Sequence, residues 1–187
     1  MEIDLEDFTP RIPSKLHKSY VRLNSSNNAL QLLRKSAIET DPAWEELEKR
    51  LLKIGGLRVV PNGYIPKYEH QPFLEELLER GQVMGPTNKM MKGRDSQCHS
   101  NSAELFLRNM DKCRFASGLS LTGDDGYWRT HSWLVTRNGK IIETTEKRLR
   151  YYGVIFTKEE SEMIAVEELD GVGFDYGLNL KEKMTRI

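Results

Sequence analysis

Residues 127–145 constrain the fold more than any other stretch: two β-type segments, Tyr127 to Thr136 and Lys140 to Thr145, flank an Asn138-Gly139 pair. Asn-Gly between such segments is a strong short-range hairpin signal, because both residues tolerate the positive φ that tight turns demand. A hairpin commits the surrounding chain to an antiparallel sheet. Arg114 to Leu121 reads as the strand before it, turned back at Asp124-Asp125-Gly126, and Tyr151 to Phe156 as a strand after it.

Upstream of the sheet the pattern is helical. Asn24 to Glu39 places Leu30, Leu33 and Ala37 on one face. Asp41 is an N-cap with Pro42 at the first helical position, and Trp44, Leu47, Leu51 and Ile54 recur at helical spacing until Gly55-Gly56. A short apolar segment, Leu57 to Val60, precedes a Pro61-Asn62-Gly63 turn. A third helix is predicted over Gln71–Arg80, with Phe73, Leu74, Leu77 and Leu78 inward and Gly81 as its stop. Residues 82–97 show no sustained period and read as a loop, in which Met84, Met90 and Met91 either line a cleft or fill gaps. A helix over Gln97–Met110 follows, and Thr157-Lys158-Glu159-Glu160 is a capping box for a last helix through Glu168.

Helices first, then a helix leading into an antiparallel sheet, is an α+β layout. One domain is expected, with an arm at 1–23, a helical region at 24–81, a core at 82–170 and a tail at 171–187.

Composition removes several classes of function. Lys plus Arg and Asp plus Glu are both 28, so no net field draws the chain to nucleic acid or a membrane. The opening MEIDLEDF has neither a basic nor an apolar signal-peptide region, and no apolar run approaches the roughly 18–20 residues of a membrane span. Two cysteines, Cys98 and Cys113, supply no disulfide framework, so a cytoplasmic setting is the expectation. The run Lys147-Arg148-Leu149-Arg150 reads as a solvated edge or as a surface for an acidic partner.

The chemistry-bearing residues fall in a telling order. Cys98 opens a helix, His131 follows 33 residues later on a strand, and Glu143 lies 12 beyond it across the Asn-Gly turn. A thiol in the first turn of a helix meets unpaired backbone N–H groups that favour the thiolate, with Ser96 or Asp95 as the expected cap. His131 can take the thiol proton, and an acid can hold the imidazole in place. Gln97 and Asn88 are candidate oxyanion donors. Trp128 and Tyr127 are candidate walls of an acyl-substrate cleft, with plain sheet packing as the alternative, and Trp133 is a further substrate candidate. His99 is expected to point away from Cys98, because adjacent helix positions do not share a face. The set Cys98, His99, Cys113 and His131 has no recognised metal-ligand spacing, and the chemistry needs no cofactor.

The hairpin supplies a test. A two-residue loop at Asn138-Gly139 would turn Glu143 to the face opposite His131. A three-residue loop, Arg137-Asn138-Gly139, closed by a bulge with Gly139 in the left-handed conformation, would put both on one face. Asn-Gly suits either.

At these residues the chain resembles the transglutaminase-like branch of the papain-like cysteine enzymes, over residues 95–146. Cys98-His-Ser-Asn-Ser-Ala-Glu-Leu-Phe-Leu-Arg-Asn-Met is similar to that family's nucleophile helix, and Arg114-Phe-Ala-Ser-Gly118 to the strand after it. His131-Ser-Trp133 and Glu143-Thr-Thr145 resemble its His-x-Trp and Asp-Pro-Thr strands, with Glu in place of Asp and Thr144 in place of Pro. The resemblance implies a papain-like core with Cys98 as nucleophile, His131 as base and Glu143 as orienter. The cytoplasmic setting, rather than the resemblance, points to a peptide or protein side-chain amide as substrate. A binding module that keeps the fold without turnover, and a nucleic-acid accessory protein using the basic part of the arm, are the competing expectations.

Overall fold

The structure, a computed structural model, describes residues 28–61 and 72–169. The expected arm at 1–23, the Asn62-Gly63 part of the turn and the tail at 171–187 lie outside the described residues.

Two helices, α1 (Asn28–Thr40) and α2 (Ala43–Ile54), open the described chain. Between them Asp41 Oδ1 accepts from the Ala43 N–H at 2.9 Å, and Pro42 already has helical dihedrals, so the cap expected from the sequence is in place. Trp44, Leu47 and Leu51 form the buried stripe of α2. In α1, Ala37 and Ile38 reach the core, whereas Leu33 is 40 % exposed, contrary to the expected inward face. Then follow β1 (Arg58–Val59), α3 (Pro72–Arg80), β2 (Gln82–Met84), β3 (Lys89–Met90) and α4 (Cys98–Leu107). The rest is β4 (Cys113–Thr122), β5 (Tyr127–Thr136), β6 (Ile141–Glu143), β7 (Arg148–Ile155) and α5 (Lys158–Leu169).

The fold is α+β, with five helices and a mixed seven-stranded sheet among the described residues. Six strands run in the order β2-β7-β4-β5-β6-β3, and β1 pairs with β5 off that path. The sheet is not wholly antiparallel as expected: β1 lies parallel to β5 and β3 parallel to β6. Both exceptions are two-residue strands joined by distant pairing, which no local turn announces. For the same reason the segment expected to be a plain loop contains β2 and β3.

Alternation along the central strands sorts side chains onto two faces. One face carries Phe115, Leu119, Leu121, Trp128, Leu134 and Val154 against the helices, which contribute Leu47, Leu51, Leu74, Leu77, Phe106 and Ile164. Burying a side chain such as Phe106 contributes about 1.5–3 kcal/mol relative to leaving it in water, and this anchors α4 on the sheet. The opposite face holds a smaller cluster of Ala116, Trp133, Val135, Ile141 and Tyr151.

At the C-terminal end, the Thr157 N–H donates to Glu160 Oε2 at 2.7 Å and the Glu160 N–H to Thr157 Oγ1 at 3.2 Å. This is the reciprocal capping box the sequence calls for. Arg80 clasps both oxygens of Glu160 at 3.1 Å, linking α3 to α5. The Lys147–Arg150 run is a solvated edge only in part: Lys147 and Leu149 are exposed, but Arg148 to Arg150 belong to β7 and Arg150 is only 8 % exposed. No helix among the described residues is long and apolar enough to cross a membrane.

Candidate active site

The hairpin resolves the register. Leu134 faces Ile142 and Val135 faces Ile141, so the loop is the three-residue one. Gly139 sits at φ +76, its N–H donating to the Thr136 carbonyl at 2.9 Å, while the Thr136 N–H donates to the Lys140 carbonyl at 2.9 Å. The bulge puts Glu143 on the His131 face. His131 Nε2 and Glu143 Oε2 are 2.8 Å apart, with exposures of 3 % and 0 %.

Five donors hold the Glu143 carboxylate. Oε2 receives His131 Nε2 and the Tyr151 hydroxyl, the latter at 2.6 Å. Oε1 receives the Thr144 N–H at 2.8 Å, the Thr145 N–H at 2.9 Å and the Thr145 hydroxyl at 3.0 Å. A buried carboxylate is costly unless its lone pairs are filled, and here they are. Burial pushes the acid up, but the bond and charge of His131, together with Tyr151 and Thr145, outweigh it and bring Glu143 down to about 2. Tyr151 also touches Thr87 Oγ1 at 2.8 Å, and burial and the carboxylate's charge raise its phenol well above the usual tyrosine range. The His131 ring stacks on Trp133 at 6.4 Å between centroids and lies 6.2 Å from the Tyr151 ring. With Nε2 committed to the carboxylate, Nδ1 is the imidazole nitrogen left for the sulfur.

Backbone bonds deliver Cys98 to this imidazole. After β3, the Met91 N–H donates to the Glu143 carbonyl and the Gly93 N–H to the Thr144 carbonyl, both at 2.8 Å. Asn101, on the first turn of α4, reaches back. Its Oδ1 accepts from the Arg94 N–H at 3.0 Å and its Nδ2 donates to the Arg94 carbonyl at 2.6 Å. A Cβ on Gly93 would lie 2.5 Å from Asn101 Cγ, so only glycine permits this packing. Ser96 takes φ +60, and Gln97, not Ser96 or Asp95, occupies the N-cap without a side-chain cap bond. Asp95 instead pairs with Lys92 at 3.3 Å.

Cys98 is half-buried and hydrogen-bonds to two imidazoles, those of His131 and His99. Burial by itself would raise the thiol. The bonds and charges of the two histidines win, and Cys98 falls to about 5 from 9.0. Burial lowers His131, but its bonds to Cys98 and Glu143 prevail and its value is raised. The expectation that His99 points away is corrected: Nδ1 of His99 lies 2.7 Å from Ser132 Oγ and the ring also meets the sulfur. Cys113, by contrast, is buried, and its burial raises its thiol.

The other expected site residues separate. Gln97 stands at the start of α4 beside Cys98. Asn88 is used elsewhere, its Oδ1 accepting from the Ile141 N–H at 2.7 Å to secure β6. Trp128 is not a cleft wall: it is 0 % exposed, packs on the helix face and donates Nε1 to the Gly55 carbonyl at 2.7 Å. Trp133 is likewise buried, but on the His131 face, where it backs the imidazole. Met84 packs against the Trp133 cluster, and Met91 is exposed. Among the described residues no three His, Cys, Asp or Glu side chains are grouped to hold a metal ion. Sequence reasoning did not find Tyr151, Thr145 or Asn101. The parity of Tyr151 with the buried β7 positions was the one available signal. The chain matches no protein-family model, no curated protein and no solved structure.

Proposed function

We propose that the protein is a thiol enzyme that attacks an amide or isopeptide carbonyl through Cys98, on a papain-like, transglutaminase-like core made of α4 and the sheet. The reading rests on one observation: a low-lying Cys98 thiol beside an imidazole whose far nitrogen is bound to a buried carboxylate. The thiol proton passes to His131 Nδ1, and the thiolate adds to the carbonyl carbon. The first N–H groups of α4, with Gln97 nearby, face the oxygen as it gains charge. The C–N bond then breaks, the leaving nitrogen takes the proton from His131, and an acyl-thioester remains. Water or an amine attacks it, surrendering a proton to His131 as the sulfur departs, which gives hydrolysis, deamidation or acyl transfer. Glu143 stays ionised throughout and directs the imidazole.

Trapping with a panel of electrophilic peptide probes tests the reading. Labelling of the wild type should persist with falling pH down to about 5, where Cys98 titrates. Cys98→Ala should abolish it, and His131→Ala should slow it by roughly a hundredfold or more. Equal labelling of wild type and His131→Ala would show that the imidazole does not activate the sulfur.

A second reading is a binding module that keeps this constellation without turnover. His131 is 3 % exposed, so any substrate must approach through the half-buried sulfur. A Cys98 that resists iodoacetamide at neutral pH would favour that reading.

A further inference from the structure

Successive residues of a strand point to opposite faces, so His131 and Ser132 leave β5 in opposite directions. The start of α4 meets both: Cys98 bonds to His131, and the next residue, His99, bonds to Ser132. Two neighbours on a helix thus grip two neighbours on a strand. We infer that His99 is a positioning residue for Cys98, its bond to Ser132 fixing the mouth of the nucleophile helix against the strand that carries the base.

The hydrogen-bond chain behind His99 gives this tether a direction. Ser117 Oγ donates to the His131 carbonyl at 3.3 Å, and Ser132 Oγ donates to Ser117 Oγ at 3.0 Å. Each hydroxyl has one proton. Ser132 has spent its own, so at 2.7 Å it accepts from His99, and Nδ1 carries a proton. The chain therefore runs from His99 through two buried serines and ends on the main chain of His131 itself. Ser102, one turn along α4, adds a bond to the Ser132 carbonyl at 3.2 Å. A sulfur placed this way has little freedom to withdraw from the imidazole, and positional error of about an ångström is costly in such pairs.

The inference rests on the thiol reading above, and the test separates their failures. The rate of iodoacetamide modification at Cys98, followed by peptide mass against pH, reports the thiolate. His99→Phe and Ser132→Ala should each move the midpoint upward by about one unit, the size expected when a partner of the thiolate is lost or displaced. Thermal melting of each variant identifies chains that have unfolded. If His99→Phe does not fold, Ser132→Ala, which removes a single oxygen, decides. A low wild-type midpoint unmoved by Ser132→Ala would overturn the inference alone, because His99→Phe also removes a ring that acts on the sulfur directly. A wild-type midpoint near the ordinary thiol value of about 8.5 would overturn the thiol reading with it.

Discussion

Among the described residues, Tyr151 is the only donor to Glu143 from outside the hairpin that carries His131 and the carboxylate, coming from β7 and lying 2.6 Å from Oε2. Tyr151→Phe removes that bond and also deprives Thr87 Oγ1 of its 2.8 Å partner. Denaturant titration should show a loss of about 1–3 kcal/mol, the usual consequence of stranding a buried polar group. A variant as stable as the parent would mean that the hydroxyl is not needed to hold the carboxylate. At this scale the sequence was most readable where chemistry and order coincide, at Cys98, His131 and Glu143. It was least readable where a bond joins distant segments, as with Tyr151 or with His99 and Ser132. Trp128 is a different case. It lies three residues from His131 and so faces the other side of the strand, a parity the sequence already contained.

The hairpin is the element on which the site turns. Deleting Asn138 leaves a two-residue loop, slides β6 by one position and turns Glu143 away from His131. Electrophile labelling of Cys98 should then fall by at least about tenfold. Gly139→Ala is the control: no atom lies within 4 Å of the added methyl, so only the φ of +76 is penalised. That variant should lose about 1–2 kcal/mol in denaturation and keep its labelling. Labelling by the deletion variant at the parental rate would mean that Glu143 need not face the imidazole. β5 spans the residues expected of it, with both of its faces largely buried. The start of β7 was hidden by charge, since Arg148 and Arg150 read as surface although they belong to the sheet. The choice between loop lengths was never local, because Asn-Gly serves both and the packing of Glu143 decides.

Across the whole molecule, acid should act through the buried carboxylate. Glu143 titrates near 2 in the folded protein against an ordinary 4.5. Its contribution to stability is therefore complete above about 4.5 and drains away as pH falls toward 2. Melting temperatures across this window should drop less steeply for Glu143→Gln than for the parent, and parallel curves would contradict the assignment. The α+β layout was legible from the order of helical and alternating segments, but the mixed character of the sheet was not, because β1 and β3 are too short for any period to show. One consequence of the Tyr151 bond concerns the polypeptide as a length of string. The residues that tune the sulfur begin at Thr87, on which Tyr151 leans, and end at Tyr151 itself. A ribosome has released Cys98 long before it adds the last of them, and a chain cut short of that tyrosine carries an incompletely furnished thiol. Reactivity in this protein is thus a property of the finished sheet, and no excerpt that stops short of Tyr151 inherits it.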